Sequence, residues 1–279
     1  MYLSIDIGKS NTRVASSRDL KSIVDITKFP TSPDLTEQKK NIKESVFKVS
    51  GGEPIQSAVL GVPGIINRFS GSFFKMNLYP QLNGLAYESF LQDCLEYKEV
   101  FVENDALLAG YGEAVGGSGK EFDIVCYLTL STGVGGCRIA HKSADPSFYF
   151  QEPGHQIILE GGRECPVCGQ KGCLQAYTSG QAFEEIYKMK PEDCSDDAIW
   201  DDYAKHLACG INNLIAMWSP EIIVIGGGLS QKFDFIYASL IEQMSKMTFF
   251  PVPEIRKSAF GDESGIRGGF FAISKIIEK

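Results

Sequence analysis

Three cysteines crowd into one short Gly-containing stretch, Cys165-Pro-Val-Cys168-Gly-Gln-Lys-Gly-Cys173, and His155 precedes it. Three thiolates and one imidazole make a closed set for tetrahedral Zn²⁺, and four protein ligands leave no position for a catalytic water. The expected metal is therefore structural. Gly169 and Gly172 let the chain wrap tightly enough to bring the sulfurs together. Such a centre would order a long irregular loop and hold neighbours such as Glu152 in place. The remaining cysteines (Cys94, Cys126, Cys137, Cys194 and Cys209) read as small core residues. His141 and His206 read as surface or core histidines.

A second chemistry is carried by turns of small residues after apolar runs. Without a Cβ in the way, backbone N–H groups can approach phosphate oxygens. Asp6-Ile-Gly8-Lys9-Ser10-Asn11-Thr12 ends a predicted strand with a carboxylate and continues with hydroxyls. Asp6 suits Mg²⁺, which takes few carboxylates and keeps several waters. Ser131-Thr132-Gly133-Val134-Gly135-Gly136 is a second turn of this kind. Either alone reads equally as a hairpin turn; the pair points to phosphate binding. Neither has the spacing of a P-loop. Gly226-Gly227-Gly228, also after an apolar strand, is a third element that could lie against a nucleotide.

Glu103-Asn104-Asp105 closes an apolar run and opens a helical pattern. Asn or Asp at that place can be only a helix cap. A carboxylate at the carboxyl end of a strand can also take the proton of a hydroxyl attacking a γ-phosphate. The residues alone leave both readings open.

The elements that must position these groups form a repeating plan. Residues 2–16 read as strand, polar turn, strand, and residues 124–140 repeat it, which suggests two α/β lobes built alike. Between them are a polar helix near 33–49, a buried strand at 56–62, another at 99–103 and a helix over 105–115. Gly116-Gly-Ser-Gly-Lys120 has the composition of a hinge. Residues 152–175 show no regular period; a helical region follows over 176–218, then residues 221–230, an apolar strand ending in three glycines, and finally a turn and a C-terminal helix. Strands alternating with helices give an α/β architecture. Two hairpins ahead of helices disfavour a simple dinucleotide-binding fold. The division expected is 1–115 joined by the C-terminal helix 265–279, and 116–264 with the zinc loop.

At 279 residues the chain suits two domains. A net charge of −8 disfavours a nucleic-acid partner. No apolar run is long enough for a membrane span. The N-terminus carries Asp6 and Lys9 where a signal peptide would be apolar, so the expected location is the cytoplasm.

These motifs, taken together, resemble the ROK family of bacterial sugar kinases and repressors over essentially the whole chain. Asp6–Thr12 and Thr129–Gly136 look like that family's two phosphate motifs, and Asn104-Asp105-Ala106 with Gly112-Glu113 like its catalytic segment. Glu152-Pro-Gly154-His155 and the Cys165–Cys173 stretch look like its sugar-and-zinc signature. Val224–Gly228 is similar to its adenosine motif and Gly261–Gly265 to its C-terminal turn. The resemblance implies the actin-like (ribonuclease H-like) fold, two similar lobes around a cleft. It implies Asp105 as catalytic base and Asn77, Asn104, Glu152, His155 and Gln175 as sugar contacts, with His155 also on zinc. ATP and Mg²⁺ would meet Asp6, Gly8, Lys9, Ser10, Asn11, Thr12, Thr132, Gly133, Gly135, Gly227 and Gly228.

The chain departs from the family pattern in five places. Lys9 stands for Gly, Ser10 for Thr and Ser131 for Gly; the first two cysteines are spaced C-x₂-C, one residue longer than the commonest form. Gln175 replaces a sugar-bonding Glu. The expected activity is ATP-dependent phosphorylation of the primary hydroxyl of a hexose, glucose favoured, by a homodimer. An N-acylhexosamine, fructose or glucoside kinase is the alternative, or a sugar sensor without catalysis. A family repressor would carry a DNA-binding domain ahead of the first strand, where this chain starts.

Overall fold

In the computed structural model, residues other than 92, 93, 96–98, 146, 148, 278 and 279 are described. The chain divides into two compact units. One comprises Met1–Val115, Pro146–Phe150 and Glu263–Lys279; the other comprises Gly116–Asp145 and Gln151–Asp262. The unit boundary thus falls at the start of the Gly-rich 116–120 stretch.

The first unit is built on a five-stranded sheet of β1 (Tyr2–Ile7), β2 (Asn11–Ser17), β3 (Asp25–Pro30), β4 (Ser57–Val62) and β7 (Val100–Asn104). Their spatial order is β3-β2-β1-β4-β7. The first three strands are antiparallel neighbours, and β4 and β7 run parallel to β1. Between β4 and β7 lie a small hairpin, β5 (Ile65–Asn67) and β6 (Ser72–Lys75), and a short helix, α2 (Glu88–Leu91). Ahead of β4 runs α1 (Leu35–Ser50), which Asp34 caps by accepting from the Glu37 N–H. It ends at Gly51 in the left-handed region, φ 60°. Ile42, Val46 and Val49 of α1 pack with Leu3, Ile5, Ile7, Leu60 and Val62 in one core. β4 is buried along its whole length, as a parallel strand covered on both faces must be.

The other face of that sheet carries α3 (Asp105–Val115) and α8 (Ser264–Ile277). These helices approach so closely that glycine is required on both. A Cβ on Gly268 would lie 1.7 Å from the Leu108 carbonyl oxygen, and one on Gly112 would lie 2.4 Å from that of Ser264. A second tie is buried there: the Ser264 hydroxyl donates to Glu113 Oε1 at 2.8 Å. Gly268→Ala is expected to cost about 3 kcal/mol, because backbone cannot yield as a flexible side chain can. Denaturant melts of wild type and variant measure this; an unchanged midpoint would refute the contact.

The second unit repeats the plan with β8 (Ile124–Leu130), β9 (Val134–Ala140), β10 (Ser143–Ala144), β11 (Ile222–Gly226) and β12 (Glu254–Lys257). The order is β10-β9-β8-β11-β12, again three antiparallel neighbours followed by two strands parallel to the first. The helical stretch expected over 176–218 is broken. It forms α4 (Gln175–Thr178), α5 (Gly180–Tyr187) and α6 (Asp197–Trp218). Lys188 adopts φ 58°, and Pro191, which cannot donate an N–H, starts a single 3₁₀ turn. Asp196 then caps α6. α7 (Phe233–Met247) follows β11 and packs on α6. Trp200, Leu207 and Ile211 of α6 meet Leu128, Ile223 and Ile225 of the sheet in the second core. Among the described residues, no helix is long and apolar enough to cross a membrane.

Candidate active site

In each unit the candidate residues gather where parallel strands end. In the first, β1, β4 and β7 are neighbours, and their carboxyl ends carry Asp6 to Thr12, Pro63-Gly64 and Asn104-Asp105. Ligands of open α/β sheets bind at such ends.

The turn after β1 is closed by the Gly8 N–H donating to the Asn11 carbonyl at 3.0 Å. Lys9 and Ser10 are exposed at its tip. Among the described residues, Lys9 is not one of those with positive φ, so a side chain is accommodated where the family has glycine. Asp6 lies 3.7 Å from the Arg13 guanidinium across the β1–β2 pair. Its carboxylate also abuts Gly265 at the start of α8, where a Cβ would come within 3.0 Å of it. Thr12 is fully buried, with its hydroxyl 2.9 Å from that of Thr31 and 2.7 Å from the donating Gln38 amide. Thr31 in turn donates to the Gly8 carbonyl at 2.8 Å. Thr12, Thr31 and Gln38 brace the turn from behind. Thr31 and Gln38 were not singled out from sequence, and no local motif marks them.

Of Asn104 and Asp105, it is Asn104 that caps α3. Asn104 is buried; its Oδ1 accepts from the Leu107 N–H at 3.0 Å, and its amide donates to the Gly64 carbonyl at 3.0 Å. Asn104 is therefore the helix cap. Asp105, half-buried in the first turn of α3, accepts from the Ala106 N–H at 2.8 Å. Gly64 has φ 122°, and a Cβ on it would lie 2.5 Å from the Lys75 carbonyl and 3.3 Å from Met76 Cα. Through Gly64 the segments bearing Asn104 and Met76-Asn77 are thus held together, with Asn77 exposed. Behind them Arg68 grips Glu103 Oε1 at 2.9 Å, and the same oxygen accepts from the Asn104 N–H at 2.8 Å.

In the second unit, β8 and β11 are parallel neighbours, ending at Leu130 and Gly226. The turn 131–133 follows β8, with the Ser131 N–H donating to the Gly133 carbonyl at 2.9 Å. Ser131 likewise is not among the positive-φ residues. Gly227, at φ 82°, passes so close that a Cβ would lie 2.3 Å from the Leu130 carbonyl. Around Gly228, by contrast, there is open space. Thr132, Gly133, Gly227 and Gly228 thus lie just past the ends of two adjacent strands, and Gly135 lies in β9 opposite Thr129.

Glu152 precedes a 3₁₀ turn, Pro153–His155, that rests on this same segment. A Cβ on Gly154 would fall 2.1 Å from the Val134 carbonyl, so only glycine allows the contact. The ligand atoms of His155, Cys165, Cys168 and Cys173 all lie within 4.8 Å of one another. Gly169 and Gly172, at φ 74° and 83°, make the reversals that the C-x₂-C spacing needs. Burial pushes the Cys165 thiol up, but N–H groups of Cys168 and Val167 outweigh it and hold the thiol below its ordinary range. Burial drives Cys173 up to about 12. A dication among them would remove that conflict by holding the sulfurs as thiolates. The donor set fits Zn²⁺.

Gln175 is 7% exposed and bonded at both ends of its amide. Its Oε1 accepts from the Val134 N–H at 2.9 Å and its amide donates to Cys165 Sγ at 3.6 Å.

Two like sheets of order 3-2-1-4-5, one per unit, with small-residue turns at the strand ends, define the actin-like ATPase fold. The sequence matches the ROK family over residues 2–275, and the chain belongs to that family. It is 32% identical to an N-acetyl-D-glucosamine kinase of Pasteurella multocida, with 96% of this chain and 97% of the relative covered. Among solved structures it is similar to a ROK hexokinase from Thermus thermophilus, at TM-score 0.83 and 22% identity, covering 100% of this chain and 99% of that one. It is also similar to a ROK family glucokinase from Streptomyces griseus in complex with glucose and AMPPNP. There the TM-score is 0.83 and the identity 20%, over 97% of this chain and 98% of that one.

Proposed function

We propose that this protein is an ATP-dependent sugar kinase that phosphorylates the primary hydroxyl of an N-acylhexosamine, with N-acetylglucosamine the first substrate to test. The observation that carries this reading is its 32% identity, across 96% of the chain, to an N-acetyl-D-glucosamine kinase. The expectation from sequence ranked glucose first; that relative moves the N-acylhexosamine ahead of it. Glucose stays as the second reading.

In the proposed reaction Asp105 accepts a hydrogen bond from the sugar hydroxyl and takes its proton as that oxygen attacks the γ-phosphorus of ATP. The new O–P bond forms, the bond to the β-phosphate oxygen breaks, and ADP leaves. Asn77, Asn104, Glu152 and His155 orient the sugar. Backbone N–H groups of the 8–12 and 131–136 turns, with Lys9 and Ser10, meet phosphate charge. Gly228, with open space around it, leaves room for the adenosine beside Gly227. Mg²⁺, when bound with the nucleotide, neutralises charge on the phosphates, and Asp6 would hold it directly or through water. Zn²⁺ would be held by His155, Cys165, Cys168 and Cys173 as a structural ion. A cytoplasmic location belongs to the same reading, since cysteines gathered as metal ligands suit a reducing compartment. Homodimer formation, implied by the family resemblance, belongs to the same reading.

A coupled ADP-release assay with MgATP tests it, against N-acetylglucosamine, N-acetylmannosamine, glucose and fructose. Sugar-dependent turnover is expected, with the highest kcat/KM for N-acetylglucosamine. No sugar-dependent ADP release would refute the kinase, and a glucose maximum would reverse the substrate order.

A further inference from the structure

We propose that Gln175 is a positioning residue rather than a sugar contact: a strut that couples the metal-binding cysteines to the 131–134 turn. The proposal rests on the kinase reading for the role of that turn in holding phosphate.

The geometry is specific to an amide. The Val134 N–H needs an acceptor and finds Gln175 Oε1 at 2.9 Å. Cys165 Sγ, held as a thiolate on a metal, needs a donor and finds the Gln175 N–H at 3.6 Å. A carboxylate could serve the first but would turn a lone pair toward the sulfur, whereas an amide serves both. At 7% exposure neither end is offered to solvent. Gln175 Oε1 also sits against Gly133, where a Cβ would come within 3.1 Å.

The strut does not act alone on this turn. The Gly180 N–H donates to the Ser131 carbonyl at 2.7 Å, and α5, which begins at Gly180, is capped by Ser179. Gly154, next to the ligand His155, packs on the Val134 carbonyl. Three contacts therefore run from the metal loop and the short helices after it onto residues 131–134. Of the three, the Gln175 bond is the one that touches a ligand sulfur directly. Outer partners of metal ligands orient them and tune the site.

The consequence is a linkage. If the metal fixes Cys165, and Cys165 fixes Gln175, then metal and nucleotide each favour the same arrangement of the turn. Linkage is reciprocal, so whatever factor the metal adds to nucleotide affinity, the nucleotide adds to metal affinity.

Gln175→Glu and Gln175→Leu test the proposal on the zinc-loaded protein, by competition with a chromophoric chelator in the presence and absence of MgADP. MgADP is expected to tighten zinc binding in the wild type about fivefold or more. Both variants are expected to bind zinc roughly 10–100-fold more weakly. Gln175→Glu, which keeps the acceptor for Val134 but loses the link to Cys165, raises the KM for MgATP less than Gln175→Leu does, and in both variants MgADP no longer tightens zinc binding. The KM for sugar stays put in both. In Co²⁺-loaded protein the thiolate-to-metal absorption band shifts in Gln175→Glu, a signature that loss of packing alone does not produce.

Zinc affinity unchanged in Gln175→Glu, or no effect of MgADP on zinc in the wild type, would overturn the strut. A raised sugar KM with wild-type zinc binding would return Gln175 to the sugar site. Should the wild type phosphorylate no sugar, the kinase reading fails while the zinc titrations still decide this one.

Discussion

Asp105→Asn lowers kcat about a thousandfold in the assay proposed above, with the sugar KM nearly unchanged, if Asp105 is the base. The asparagine keeps the size and shape of the side chain and can still accept from the Ala106 N–H that Asp105 now engages at 2.8 Å. It cannot take a proton. The loss is therefore expected in the chemical step rather than in binding. Stability should fall by less than about 1 kcal/mol, from the weaker interaction of a neutral group with the α3 N-terminus. Asn104→Ala is the contrasting control. It removes the cap on Leu107 and the bond to the Gly64 carbonyl, both buried, and is expected to cost about 2 kcal/mol. A melting curve of each variant beside its kinetics separates the two residues. Wild-type turnover in Asp105→Asn would remove Asp105 from the reaction.

Stripping the metal is the second large effect. Metal analysis of the purified protein is expected to find one Zn²⁺ per chain. Residues 156–174 form no helix or strand: two isolated bridges, Ile157 with Cys173 and Glu164 with Lys171, and the turn hydrogen bonds around them are what the backbone supplies. Zinc at a thousand times its dissociation constant stabilises the folded state by about 4 kcal/mol. For a protein of this size its removal should lower Tm by roughly 10 °C. Hydrogen exchange should quicken first over 156–175, and then over 131–134, which that loop braces through Gly154 and Gln175. A Tm indifferent to chelation, with protein that carries no zinc, would refute the centre.

Much of the fold was legible because its signals are local. Apolar runs bounded by Gly or Asn give β4 and β7 to within a residue and place β11 within 221–230, and the echo between residues 2–16 and 124–140 is the opening hairpin of two like sheets. The elements that were missed have weak local signals. β3 is an edge strand whose side chains are largely exposed, so it lacks the alternation of a half-buried strand. β5, β6 and β12 have three or four residues each, too few to show a period. Pro191 stands at the break between α5 and α6, inside the stretch whose pattern reads as helical throughout.

The site divides in the same way. Residue type and spacing alone pick out the residues whose ligand atoms cluster, His155, Cys165, Cys168 and Cys173, because Cys-x₂-Cys and a third Cys within a Gly-containing loop have few uses other than metal. Spacing likewise flagged the small-residue turns, since phosphate needs bare backbone. Roles that depend on a partner distant in sequence were out of reach. Only packing shows that Asn104 is the cap and Asp105 is not, that Thr12 turns inward to Thr31 and Gln38, and that Gly154 is glycine because Val134 lies against it. Gln175 is the clearest case. The family resemblance implies a sugar contact, and the fold brings Val134 to one end of its amide and Cys165 to the other. Local chemistry is written in neighbouring residues; a hydrogen bond across forty positions exists only once the chain has folded.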